Sequence, residues 1–92
     1  MTYQFRKWHI PGYMMPAVER YVKQGQPVGD FLQAVISNDL ARAVGFADDD
    51  NVENLPAFLA FLHNEAPAEC HGSPEKYKAW IAKHKDKEHA GS

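Results

Sequence analysis

The stretch DFLQAVISNDLARAV, from Asp30 to Val44, gives the clearest indication that this chain folds into helices. Its apolar side chains recur every three or four residues and form one broad stripe, which is typical of a helix packed on a core. The stripe consists of Phe31, Leu32, Val35, Ile36, Leu40, Ala43 and Val44. Asp30 and Gln33 have the spacing of a capping box, in which each side chain accepts a hydrogen bond from the other residue's backbone N–H. The pattern therefore predicts one core helix over about 30–44.

Three further helices are indicated by the residues at their ends. They are predicted over about 16–24, 55–65 and 74–84. Proline is favoured in the first turn of a helix, where Pro16 and Pro74 would lie, and Ser73 is a favourable N-cap. Gly25 suits the position just after a helix, because glycine adopts a positive φ readily.

Pro56 leaves two arrangements open in the third quarter of the chain. One helix could begin near Asp49 and kink at Pro56, or Asn54 could cap a separate helix that has Pro56 in its first turn. We favour a single turn of helix followed by the main helix.

Length and composition indicate one domain. The chain has 92 residues, of which 45% are apolar, enough for one core and not for a deep enclosed pocket as well. We predict a mainly α, small single-domain bundle of about four helices with a short extended or β N-terminal segment. Residues 1–9 would form the extended arm, 10–84 the helical core and 85–92 a flexible tail. No signal peptide and no apolar run near the ~18 residues of a membrane span is present, so the expected location is cytoplasmic.

Charge is distributed unevenly along the chain. Residues 1–47 carry five basic and three acidic side chains, 48–75 carry seven acidic side chains and no Lys or Arg, and 76–92 carry five lysines and two acidic side chains. Such charge blocks bear on how a protein attracts and orients its binding partners, and not on its fold. The alternative is that the two basic ends of one small domain simply attract its acidic middle.

Two candidate partner-binding surfaces follow from these charge blocks. The acidic surface consists of Asp48, Asp49, Asp50 and Glu53. The basic and aromatic set, suited to a protein or RNA partner, consists of Arg6, Lys7, Trp8, Lys76, Lys83 and Lys85. In such a set the cations can contact phosphates, and the aromatic ring between them can stack on a base. The pI of about 6.2 is low for a protein that binds free nucleic acid, so contact with nucleic acid held inside a protein complex is the better expectation.

Asn38 and Asp39 are unusual in the middle of a predicted helix. Both residues compete for local backbone hydrogen bonds and are mediocre helix formers. By helical spacing Asp39 would lie on the side of Val35, Ile36 and Ala43. The pair is therefore either a satisfied buried hydrogen-bond network or a polar functional site.

His63, Cys70 and His71 are the one constellation that suggests zinc or nucleophilic chemistry. Zinc ligands are normally spaced in pairs, whereas Cys70 and His71 are adjacent and no second cysteine exists. A nucleophile also needs a base, an orienting group and an oxyanion donor in one cleft. We expect Cys70 to be a small buried residue and predict no metal, no cofactor, no catalytic residues and no enzymatic activity.

Several strings in the chain resemble a family of small accessory proteins of phages and prophages of proteobacteria. They are Ile10-Pro11-Gly12-Tyr13-Met14, Arg20-Tyr21-Val22, Gly25-x-Pro27-x-Gly29-Asp30-Phe31-Leu32-x-Ala34-Val35-x-x-Asn38-Asp39-Leu40, Ala47-Asp48-x-x-Asn51, and Phe61-Leu62-x-Asn64-x-Ala66-Pro67-x-x-Cys70-x-Gly72-Ser73-Pro74. The likeness spans about residues 10–81. These motifs are specific to the family but encode no chemistry.

In length and overall sequence the chain also resembles the anti-CRISPR proteins that inhibit type I-F surveillance complexes. That resemblance implies a phage-encoded inhibitor in the bacterial host cytoplasm, which binds the complex of Cas proteins and guide RNA and blocks target DNA hybridisation. It implies no membrane, no small-molecule substrate and no catalytic residue. The alternatives are another phage accessory binding module, such as a regulator of host replication or transcription, and, less favoured, a small zinc-dependent protein.

Overall fold

The computed structural model describes the backbone of residues 3–90 and the side chains of residues 3–85. Its elements are β1 Gln4–Phe5, β2 Trp8–His9, α1 Met15–Gln24, α2 Asp30–Ile36, α3 Leu40–Phe46, α4 Asp49–Glu53, α5 Leu55–Glu65, a 3₁₀ turn Ala68–Cys70, and α6 Pro74–Ala90. The predicted mainly α fold with a short N-terminal β segment is confirmed. None of the helices in this part of the chain has the length and apolar composition needed to cross a membrane.

The predicted single helix over 30–44 is wrong, because the chain stops one helix and starts another at residues 37–39. Asn38 has a φ of 63°, in the left-handed region that asparagine tolerates better than most residues. The N–H of Asn38 donates to the carbonyl of Val35 at 3.1 Å, and that of Asp39 to Ala34 at 2.8 Å. This pair of bonds is a Schellman motif, which ends α2.

Asp39 then begins α3. Its carboxylate accepts from the backbone N–H of Arg42 at 3.2 Å, and the Arg42 guanidinium lies 3.7 Å from the same carboxylate. Of the two alternatives for Asn38 and Asp39, the buried hydrogen-bond network is wrong, because Asn38 is exposed and Asp39 is an N-cap. The redirected α3 also exposes Leu40 and Val44, which the sequence pattern places in the core.

The start of α2 also differs from its prediction. Gly29 occupies the N-cap position and Asp30 is the first helical residue, with no side-chain capping bond. The capping box of Asp30 and Gln33 is therefore wrong. Asp30 still lies in the first turn, where a carboxylate is favourable for the helix dipole.

The signals from Gly25, Ser73 and Pro56 at the other helix ends are confirmed. Gly25 ends α1 with a φ of 66°, and the N–H of Lys76 donates to the Ser73 hydroxyl at 3.1 Å at the start of α6. Pro56 lies in the first turn of α5, after the single separate turn α4. The backbone of α6 continues to Ala90, whereas the sequence predicts a tail from residue 85.

Tyr21 lies at the centre of the core and joins three elements. It is fully buried, its hydroxyl donates to the Cys70 carbonyl at 2.6 Å, and its own carbonyl accepts from the Trp80 indole N–H at 2.8 Å. Its ring stacks on that of Tyr77 at 5.5 Å. Since buried polar groups are costly when unpaired, these bonds fix α1, the 3₁₀ turn and α6 in one arrangement.

Candidate binding surface

The N-terminal segment forms a hairpin that is anchored on α5. Gln4 pairs with His9 and Phe5 with Trp8 in an antiparallel register, and the ring of Tyr3 packs edge-on against Phe61 at 5.2 Å. An aromatic pair of this geometry adds to the apolar area that is buried. The predicted arm is thus a packed two-stranded sheet that lies against the helices.

The hairpin turn presents two cations beside aromatic rings. Arg6 and Lys7 are exposed, with the Arg6 guanidinium 5.2 Å from the Phe5 ring centre and the Lys7 ammonium 5.2 Å from that of Trp8. Arg6 has a φ of 55°, which lies in the left-handed region. Cation–π attraction at an exposed site is modest, about 0.5–1 kcal/mol, so both charges remain available to a partner.

Asn54 connects this hairpin to the acidic helix. Its side-chain carbonyl accepts from the backbone N–H of His9 at 3.0 Å, and its amide donates to the backbone carbonyl of Asp50 at 2.8 Å. Asn54 is buried and makes no side-chain cap to α5, so the role predicted for it is replaced by this bridge. Sequence reasoning missed the bridge because the two partners are far apart along the chain.

Of the four residues in the predicted acidic surface, one is hydrogen-bonded within the fold and three are exposed to solvent. Asp48 is the N-cap of α4: one oxygen accepts from the N–H of Asn51 at 2.8 Å and the other accepts from the Tyr13 hydroxyl at 2.7 Å. Asp49, Asp50 and Glu53 are exposed. Among the described residues, the ion pairs within 4.0 Å include none of these three.

The structure brings parts of the two predicted surfaces together in one shallow groove. We call it the hairpin–α4 groove; its lining residues are Lys7, Trp8, His9, Pro11, Asp50, Glu53 and Asn54. The hairpin contributes a cation and an aromatic ring, Lys7 and Trp8, and α4 contributes two carboxylates, Asp50 and Glu53. Charges of both signs therefore face a partner within one small area.

The lysines of α6 lie outside this groove. Lys83 pairs with Glu69 at 3.2 Å and lies 5.3 Å from the Trp80 ring centre, while the Lys76 ammonium donates to the Ala68 carbonyl at 3.5 Å. Lys85 is exposed. The basic set predicted from the sequence is thus divided between the hairpin and α6.

The structure brings His63 and His71 together and buries Cys70. Cys70 is fully buried, as expected, and burial raises the pKa of its thiol to about 11, which disfavours the nucleophilic thiolate. The rings of His63 and His71 meet edge to face at 5.4 Å, and burial, followed by the neighbouring His63 and Lys76, lowers the pKa of His71. Within residues 3–85, no three His, Cys, Asp or Glu side chains converge as metal ligands would.

Comparison with known proteins finds no family that matches this chain, no curated protein that is similar to it and no solved structure that resembles it.

The bond between Tyr13 and Asp48 makes a pH prediction. The bond to Asp48 is the main cause that raises the pKa of Tyr13 to about 12, and the same bond, followed by that from Asn51, lowers the pKa of Asp48 below its ordinary value of 3.8. A lowered carboxyl pKa stabilises the fold above pH 3.8, and this contribution is lost as the pH falls through the folded-state value. The raised pKa of the Tyr13 phenol stabilises the fold below pH 10, and this contribution is lost as the pH rises towards about 12.

Tyr13→Phe is therefore expected to lower the melting temperature at pH 7 and to have little effect on it at acid pH, where Asp48 is protonated. Thermal unfolding followed by circular dichroism between pH 2 and pH 8 measures the difference from the unmodified chain. That difference should shrink as the pH falls below 3.8. A difference that is constant over this range would show that the hydrogen bond is not its cause.

Proposed function

We propose that this chain is a non-catalytic inhibitor that binds a type I-F CRISPR surveillance complex and blocks hybridisation of target DNA to the guide RNA. The observation that carries the proposal is the hairpin–α4 groove, whose lining includes Lys7 and Trp8 together with Asp50 and Glu53. A surface of both signs is suited to a partner that also presents both signs.

A protein–RNA complex is such a partner, whereas free nucleic acid is not. Phosphates approaching Lys7 would come close to Asp50 and Glu53, which line the same groove. Negative charges within the ~8 Å Debye length of one another repel at physiological salt. In a surveillance complex, the guide is held in a positively charged protein channel. Carboxylates of α4 can then pair with Lys and Arg of the protein while the hairpin contacts the guide backbone or stacks on a base.

The resemblance to phage accessory and anti-CRISPR proteins supports the same partner. Inhibition by binding needs no catalytic residue, no cofactor and no small-molecule substrate. The site of action that follows is the cytoplasm of the bacterial host. The exposed location of Arg6, Lys7, Asp49 and Glu53 is compatible with direct contact.

Gel filtration of the chain with a purified type I-F surveillance complex tests this proposal. Co-elution in a fixed ratio is expected, and it should weaken as the salt concentration rises because charged groups dominate the contact. A chain that elutes alone at low salt would contradict the proposal. If the chain elutes alone, a pull-down from host lysate that captures a replication or transcription protein would favour the alternative of a phage regulatory module.

A further inference from the structure

A cleft of about 340 Å³ lies outside the hairpin–α4 groove, and the two share no lining residue among those the structure describes. Residues of α2, α5, the 3₁₀ turn and the start of α6 line this cleft. We call it the histidine cleft, because His63 and His71 line it together with Lys76. Its volume lies at the lower end of the range of small-molecule sites, about 300–1,000 Å³.

The fold collects three basic side chains in the histidine cleft. The rings of His63 and His71 meet edge to face, with their centres 5.4 Å apart. The Lys76 ammonium nitrogen lies 3.7 Å from where a Cβ would stand on Gly72, the residue after His71, and its charge acts on the His71 ring. The N–H of Gly72 donates to the carbonyl of Ile36 at 2.8 Å, which fixes this loop against the end of α2.

The positive charge in this cleft is not neutralised by a described carboxylate. Between residues 3 and 85, the lining contains no Asp or Glu, and the ion pairs within 4.0 Å do not include Lys76. Glu65 lines a different cavity, and Glu69 pairs with Lys83 at 3.2 Å. An anion that enters the cleft therefore meets a cation without displacing another carboxylate.

We propose that the histidine cleft binds a small organic acid, with its carboxylate on Lys76 and His71 and its apolar body against the apolar part of the lining. That part consists of Val35, Leu59, Leu62, Ala66 and Ala68. An apolar body removes this wall from water, which a bare inorganic anion does not. The inference goes beyond the proposed function and is independent of it, since it uses a different site.

The charges in the cleft favour a carboxylate over other ions. Lys76 brings one permanent positive charge, and burial is the main cause that lowers the pKa of His71, so this ring is neutral at pH 7. A single charge matches a carboxylate better than a phosphate group, which carries about −1.5 to −2 at that pH. A metal ion would be repelled by the ammonium beside the two imidazoles.

The acidic residues of the last turns of α6 are too far away to occupy the cleft of the same molecule. Asp86 and Glu88 follow Lys76 by ten and twelve residues on this helix. At 1.5 Å per residue their backbones lie about 15 and 18 Å from that of Lys76 along the helix axis. The cleft is therefore open to a ligand from solution.

Titration of the isotope-labelled chain with benzoate, followed by amide and imidazole chemical shifts, tests the proposal. Benzoate should give saturable shifts centred on His63, His71 and Lys76, with a Kd of about 1 mM or below. Three controls each remove one property: benzamide has the shape without the charge, acetate the charge without the ring, and inorganic phosphate a different charge. Each should bind at least about fivefold more weakly.

A matched pair of substitutions assigns the contact to the cleft. Lys76 and Lys78 are both exposed on α6, and replacing either by methionine removes one charge. Lys76→Met should weaken benzoate binding about tenfold or more, because a charge-assisted contact is lost, whereas Lys78→Met should leave the Kd unchanged. Equal losses in the two variants would show that total charge and not the cleft governs binding, which overturns the inference.

Benzoate binding should also tighten as the pH falls from about 7.5 to about 6, because a nearby anion favours the charged form of an imidazole. The titratable groups that face His71 are His63 on α5 and Lys76 on α6, while α2 brings the uncharged Val35 and Asn38. The pKa of His71, followed by its ring proton shifts, should rise on saturation with benzoate. An unchanged pKa would overturn the contact with His71.

Three further outcomes would overturn the inference as a whole. They are no saturable binding of benzoate up to ~10 mM, equal binding of benzamide, and shifts centred outside the cleft. A short peptide with a free C-terminal phenylalanine presents the same chemistry from a protein. If it binds more tightly than benzoate, a protein C-terminus and not a small acid is the ligand. None of these results bears on co-elution with the surveillance complex, which tests the proposed function separately.

Discussion

Replacing Gly25 by alanine is expected to lower the free energy of unfolding by about 2–4 kcal/mol, a large part of the stability of a domain of this size. Gly25 has a φ of 66°, a left-handed conformation that costs an L-residue about 1–2 kcal/mol. A Cβ at this position would also lie 2.5 Å from the Cβ of His84 on α6, so the two helices would have to separate. Forced overpacking of this kind typically costs about 1–3 kcal/mol.

Gly45→Ala is the matched control for Gly25→Ala. Gly45 lies inside α3, its φ is not positive, and nothing lies within 4 Å of a Cβ built there. Alanine is the better helix former by up to about 1 kcal/mol, so this variant should be equally stable or slightly more stable. Guanidinium unfolding of the three proteins measures the differences. Equal effects at the two glycines would show that the contact between Gly25 and α6 is misplaced.

Reversing Asp49, Asp50 and Glu53 to lysine is expected to weaken binding to the surveillance complex at least about a hundredfold. Each substitution removes an attraction to a basic surface and introduces a repulsion, and charged contacts of this kind govern both encounter and specificity. Because the three side chains are exposed, the fold should persist with a small loss from the helix dipole of α4. Affinity is measured as binding of each variant to the surface-immobilised complex at several salt concentrations.

The control for this reversal carries the same change in net charge at other positions. Asp30, Glu65 and Glu75 are exposed, and Asp30 and Glu75 lie in first turns as Asp49 and Asp50 do. Reversing these three to lysine should leave the affinity within a few-fold of the unmodified chain. If both triple variants bind equally weakly, total charge rather than the α4 surface governs the interaction. Asp48 is left unchanged in both because it caps α4.

Much of the fold follows from local residue chemistry. Gly25, Pro56 and Ser73 each set a helix end whose physical cause lies within a few residues, so the sequence predicts these boundaries correctly. The break at Asn38 is different. The apolar spacing of residues 30–44 is continuous, and it does not show the left-handed Asn38 that interrupts the helix. Asn38 and Asp39 do carry a signal, since both are poor helix formers, but that signal also fits a buried polar pair.

The residues of the candidate binding surface were predictable from the sequence, but their arrangement was not. Composition alone identifies the acidic block and the basic aromatic N-terminus. Their juxtaposition depends on Asn54 bonding to His9, 45 residues away, and the separation of Asp48 from the free carboxylates depends on Tyr13, 35 residues away. No local spacing encodes such contacts. The exposure of Leu40 and Val44 was hidden for the same reason, since it results from the turn at Asn38.

Target DNA hybridisation in the presence of the chain is the most direct test of the proposed inhibition. Purified type I-F surveillance complex is mixed with increasing amounts of the chain, and binding of a fluorescent target duplex is then followed by anisotropy. We expect loss of DNA binding that is complete at a fixed ratio of chain to complex, and no loss when Asp49, Asp50 and Glu53 are reversed to lysine. Undiminished DNA binding at saturating amounts of the unmodified chain would contradict it.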